Sequence, residues 1–168
     1  KDFLFDREST AELCRLCSAG MDDEGVDYVQ RLSGGWVAAI RLQADNYRDC
    51  GEFARYEEIS QLIDAAVWRR LNGAGRAFMM TAALPGRLPD RLVGRGVREL
   101  LLKNPFVVYS ASDGFFHMHE LMRRFLRARL DVSPPDFRRT ALTRAAALCA
   151  EEGELFEAAR LYADAGDY

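Results

Sequence analysis

Apolar positions recur along most of this chain at helical spacing. Ile59, Leu62, Ile63, Ala66 and Val67 stand at i, i+3, i+4, i+7 and i+8, and Met118, Leu121, Met122, Phe125 and Leu126 repeat the pattern. Each set draws one apolar stripe along a helix. Arg123, Arg124, Arg127 and Arg129 take the other side of the second stripe. Upstream, Asp6, Ser9 or Thr10 can cap a helix through Ala19, with Gly20 as its stop. Asp22 and Asp23 cap a second helix with Val26, Val29 and Leu32 inward, ending at Ser33-Gly34-Gly35. Trp36 opens a third, where Val37, Ala38, Ile40, Leu42 and Ala44 make an apolar surface. Residues 46–55 are polar and read as a linker, and Phe3-Leu4-Phe5 as the tail of a strand or linker.

Beyond Tyr56 the pattern predicts a helix up to Asn72-Gly73, then one over residues 74–84 stopped by Pro85-Gly86. Pro89 can start a short helix, and Val97–Leu102 form another. The period then changes. Phe106-Val107-Val108-Tyr109 and Phe115-Phe116-His117-Met118 are aromatic and β-branched runs around Asp113-Gly114, the turn chemistry of a hairpin. After Pro134-Pro135, Asp136 caps a helix through Glu152, Gly153 stops it, and a second runs from Glu154 to about Ala165. Ala145, Ala146, Cys149, Ala158, Ala159 and Tyr162 set small against large residues there, as in one tetratricopeptide-like pair. The expected fold is therefore mainly α: a small helical module over residues 1–55, a winged-helix domain with one hairpin over 56–132, and a helical pair over 133–168.

Charge adds an asymmetry that the net value of −3 hides. Residues 1–66 carry −7, residues 67–130 carry +8 and residues 131–168 carry −4. A basic middle between acidic flanks suits docking onto protein or binding of nucleic acid. Of 23 basic residues 21 are Arg, which codon bias alone can produce. Cys14 and Cys17 form a C-x-x-C inside a helix with no second pair, and Cys50 and Cys149 are isolated, so buried thiols in a reducing cytoplasm are expected rather than a metal site. No apolar run reaches the roughly 18 residues of a membrane span, and no signal peptide opens the chain. The chain has no initiator Met and stops at Ala165-Gly166-Asp167-Tyr168, where another helical unit could begin, so an internal segment of a longer protein is expected. No nucleophile context such as G-x-S-x-G supports catalysis.

The chemistry converges on the hairpin's exit. His119 sits in the first turn of the Met118–Leu126 helix, where free backbone N–H groups attract an anion. A histidine there is either a structural cap or a phosphate contact. His117, two residues earlier, reads as a surface residue.

Two stretches carry a resemblance. Ser33-Gly34-Gly35-Trp36-Val37-Ala38-Ala39-Ile40-Arg41-Leu42 resembles the E-G-W-x-x-x-L-x-L helix of the maltose-regulator type of bacterial transcription activators. Phe116-His117-Met118-His119-Glu120-Leu121-Met122-Arg123-Arg124-Phe125-Leu126-Arg127 resembles the Y-x-x-H-x-L-F-R-x-F-L-R segment of their winged-helix domain, and Met118-His119-Glu120 is similar to the Met-His-Asp of plant and animal relatives. These regulators are STAND-class signalling ATPases of the LuxR family. The resemblance implies an upstream P-loop ATPase core holding ATP or ADP, with the helical lid and winged helix closing over the nucleotide. His119 would contact the phosphates, and Gly35 and Trp36 would approach the same nucleotide. Arg123, Arg124 and Arg127 would form a docking face. Partners would be the ATPase core and downstream repeats of the same chain, with DNA met only by a separate C-terminal helix-turn-helix and with self-association on activation. The segment lacks G-x-x-x-x-G-K-S/T, so by itself it is expected to bind no cofactor and hydrolyse no ATP. The alternative is a winged helix that itself binds DNA. The recognition helix it would use, Val97–Leu102, offers few donors for base edges.

Overall fold

The computed structural model describes residues 4–166. Among them the chain is mainly α-helical, with one three-stranded antiparallel sheet. It divides between Arg70 and Leu71 into two compact units. Phe3, Asp167 and Tyr168, which figured in the readings of the two ends, lie outside the described residues.

In the first unit, helix α1 spans Arg7–Leu16. Of its three candidate caps Asp6 is the one used, its side chain accepting from the Ser9 amide at 2.8 Å. The helix stops short of Ala19 because Ser18 turns left-handed, with φ 54°. Helix α2, Asp23–Ser33, is capped by Asp22, and Gly34 ends it in the left-handed conformation that glycine adopts at least cost. Helix α3 runs Val37–Cys50, so the first half of the polar window at 46–55 is helix rather than linker. Two features explain the difference. Asp45 pairs with Arg41 and Arg48 on the exposed side, and the Tyr47 ring packs 5.0 Å from that of Phe53. Polarity there marks an exposed helix face. Helix α4, Tyr56–Ala66, starts where the Glu58 carboxylate accepts from the Arg55 amide at 2.7 Å. A 3₁₀ turn over Trp68–Arg70 follows. Cys14, Ala19, Val29, Ile40 and Ala44 form a core cluster, with Phe5, Leu13, Met21 and Phe53 around it.

The second unit opens with α5, Gly73–Ala82, capped by Asn72. Strand β1, Arg87–Pro89, leads through a 3₁₀ turn at Asp90–Leu92 to α6, Arg95–Leu102. Strands β2, Val107–Ser110, and β3, Phe115–Met118, form the expected hairpin. The sheet order is β1-β3-β2, with His117 of β3 opposite Arg87 on one side and Val108 on the other. The hydrophobic pattern predicts no β1 and allows a helix to start at Pro89 instead. Three residues carry no readable period, and only the open edge of β3 gives them backbone partners; a proline at the end of an edge strand is tolerated. Helix α7 spans Glu120–Asp131. Leu121, Met122, Phe125, Leu126 and Leu130 are buried on it, together with Phe106 and Phe116 from the sheet region. Helices α8, Pro135–Glu151, and α9, Leu155–Ala165, pack on each other. Ala141, Leu142, Ala145, Ala146, Cys149, Ala158 and Leu161 are buried on them, while Ala159, expected at the contact, is exposed.

Candidate functional site

The junction of β3 and α7 is held from both sides. The Met118 amide donates to the Gly86 carbonyl at 3.0 Å, and the His119 amide donates to the Phe106 carbonyl at 2.8 Å. His119 is thereby set in extended backbone as the N-cap of α7. Its ring lies beside that of Phe106, with centroids 6.3 Å apart. Nδ1 accepts from the Leu121 amide at 3.2 Å, so the neutral ring carries its proton on Nε2. Histidine is an unusual choice for this place, where Ser, Thr, Asp and Asn cap best. It satisfies the helix with one nitrogen and keeps an N–H donor on the other.

Burial pushes the His119 imidazole below its ordinary range, with the neighbouring Glu120 carboxylate pulling partly back. The sign follows from proton uptake. The folded cap resists a proton that the unfolded histidine takes up near pH 6.5, so stability falls as pH drops through that value and levels off only below the folded one. We expect urea unfolding, followed by circular dichroism, to show this loss between about pH 8 and about pH 5. His119→Asn, which keeps a capping side chain and has no titration there, should flatten it. An unchanged slope in the variant would remove His119 as its source.

The three arginines of the expected docking face separate. Arg123 donates through Nε to the Ala83 carbonyl at 3.3 Å and through Nη2 to the Leu84 carbonyl at 3.4 Å, and pairs with Glu120 at 3.2 Å. Arg127 donates to the same Leu84 carbonyl at 2.9 Å. Both guanidiniums thus satisfy carbonyls that α5 leaves open at its C-terminal end, where a positive charge also opposes the helix dipole. Burial lowers the Arg127 pKa, and the charges of Arg123 and Arg160 push the same way. Arg124 is exposed. Pro85-Gly86 reads in the sequence only as a stop, yet Gly86 is part of this arrangement: a Cβ there would lie 2.6 Å from Cζ of Arg123, and its φ is +78°. Nothing in the local sequence signals that packing. His117 is held through Nε2 by the Asp113 carboxylate at 2.8 Å.

Gly35 and Trp36 belong to the first unit and His119 to the second. At the turn between α2 and α3, the Gly35 carbonyl accepts from the Phe5 amide at 2.7 Å, and Leu4 bridges to Trp36. Gln30 Nε2 donates to the Phe5 carbonyl at 3.0 Å, and Thr10 bonds Gln30 in turn. The space a side chain on Gly35 would need is occupied by the Phe5 backbone. Trp36 is buried. Among the described residues no three of His, Cys, Asp and Glu converge as metal ligands would, and no helix is long and apolar enough to cross a membrane. Neither a protein-family model nor a curated protein sequence matches the chain.

Proposed function

We propose that this chain is the regulatory segment of a larger ATP-dependent transcriptional regulator of the LuxR family, STAND class. The expected boundary puts the lid at residues 1–55 and the winged helix at 56–132, whereas the compact units divide after Arg70. In this reading the whole first unit serves as the lid and α5 to α7 with the sheet as the winged helix, both closing over nucleotide held by a P-loop core. The pair α8–α9 begins a run of repeats that carries the signal onward. The sheet order β1-β3-β2, with a helix ahead of the hairpin, supports the winged-helix reading. The observation that carries the functional reading is the His119 cap. With Nδ1 engaged by Leu121, Nε2–H remains to donate to a phosphate at a helix start that already favours an anion. Release of that contact on exchange of ADP for ATP would shift the population from a closed to an open state.

The test uses the full-length protein that contains this chain, purified from cells with and without His119→Ala, denatured, and assayed for released ADP and ATP by chromatography. Stoichiometric ADP in the wild type, lost or replaced by ATP in the variant, is the expected result. Equal nucleotide in both would return His119 to a purely structural cap, and none in either would count against the ATPase reading. Direct DNA binding by α6 has less support. Arg98, a central cation of that helix, pairs with Asp90 at 2.9 Å and stacks over the Tyr109 ring.

A further inference from the structure

Helices α8 and α9 are attached to the rest of the second unit by different chemistry at their two ends. Toward the start of α8 the attachment is apolar: Ala141, Leu142 and Ala145 are buried, α8 packs on α5, and Ser133 reaches the Met80 sulfur at 3.8 Å. At the far end, where α8 turns into α9, apolar burial thins to the surroundings of Cys149. Leu155 and Phe156, the first residues of α9, are 69% and 86% exposed. What holds this end is charge. Glu154 accepts from Arg87 of β1, and Glu152 accepts through both carboxylate oxygens from Nη1 and Nη2 of Arg91 in the following 3₁₀ turn. The Arg87 guanidinium also lies over the Phe115 ring, 4.7 Å from its centre. Beneath the two pairs a small cavity is lined by Pro85, Leu148 and Cys149, and Cys149 is 1% exposed.

We propose that the α8–α9 turn is an ionic latch on the edge strand: Arg87–Glu154 and Arg91–Glu152 hold the far end of the helical pair closed, and screening of those pairs lets it swing about its apolar end. Part-exposed ion pairs contribute little each and weaken as salt rises. Two of them over only a small apolar contact leave this end close to the balance between closed and open, as a reversible switch requires. The latch depends on none of the nucleotide chemistry above, and failure of either reading leaves the other standing.

Cys149 reports the opening without any added probe site. A thiol-alkylating reagent is applied to the chain and modification of Cys149 is read by peptide mass spectrometry, with amide-exchange protection of α7 recorded in parallel. In the wild type, raising salt from low values to about 1 M should speed alkylation of Cys149 roughly tenfold while α7 stays protected. The double variant Arg87→Ala, Arg91→Ala should label fast at both salt levels. The exchanged set Arg87→Glu, Arg91→Glu, Glu152→Arg, Glu154→Arg should return slow labelling at low salt. Alkylation of the wild type that ignores salt would overturn the latch. So would loss of α7 protection in step with labelling, because the unit would then be opening as a whole. The wild-type measurement stands even if a variant fails to fold.

Discussion

Gly35→Ala should cost the first unit about 3 kcal/mol or more, enough to unfold much of it in a marginal domain. Two effects add. The residue sits at φ +84°, where any side chain carries a strain of about 1–2 kcal/mol. A Cβ would also stand 2.2 Å from the Phe5 carbonyl oxygen and 2.8 Å from its nitrogen. Both atoms are backbone and neither can turn aside. The Phe5 segment would be expelled, taking with it the bonds to Gly35 and Gln30 and the Leu4 bridge to Trp36. Gly51→Ala is the internal reference: φ is +73°, but nothing lies within 4 Å, so it should cost about 1–2 kcal/mol from strain alone. Both tryptophans, Trp36 and Trp68, belong to the first unit, so urea unfolding followed by their fluorescence reads it selectively. Equal costs for the two alanines would mean that the close approach of Phe5 contributes nothing.

Gln43→Leu should destabilise the same unit by about 3 kcal/mol despite being more apolar. Gln43 has no exposed surface, and both ends of its amide are engaged by one residue. Nε2 donates to the Ala54 carbonyl at 3.1 Å, and Oε1 accepts from the Ala54 amide at 2.8 Å. Ala54 is itself buried. Leucine would leave an N–H and a C=O without partners or water, each costing about 1–3 kcal/mol. The hydrophobic gain of the leucine offsets only part of this. A loss below about 0.5 kcal/mol would show that the segment before α4 relaxes to find other partners.

Gln43 also shows where reading the sequence stops. The apolar surface expected on α3 includes Ala38 and Leu42, but Ala38 is exposed and Leu42 half-buried, while Ala39 and Gln43 are fully buried. A periodicity built on hydrophobic residues passes over a glutamine whose partner lies 11 residues away. The docking arginines meet the same limit. Their spacing on α7 is visible in the sequence, but the carbonyls that Arg123 and Arg127 satisfy are 39 to 43 residues upstream.

Local chemistry determined most of the elements. Asp6, Asp22 and Asn72 cap helices because their side chains reach an amide three residues on. Gly34 and Gly114 adopt the positive φ that ends α2 and turns the hairpin. The stripe on α7 buries Leu121, Met122, Phe125 and Leu126, as its period selects, while Met118 at its head belongs to β3. Each of these needs only neighbours within about one helical turn or one hairpin, so the sequence carries them unaided. Tertiary structure alone decided the rest. Strand β1 exists because β3 offers an unpaired edge, and Arg87 and Arg91 hold the α8–α9 turn because that strand brings them to it. Gly35 must be glycine because Phe5 lies against it. These contacts join residues about 30 to 70 positions apart, and no local period or propensity records which distant partner will satisfy a given backbone edge or charge.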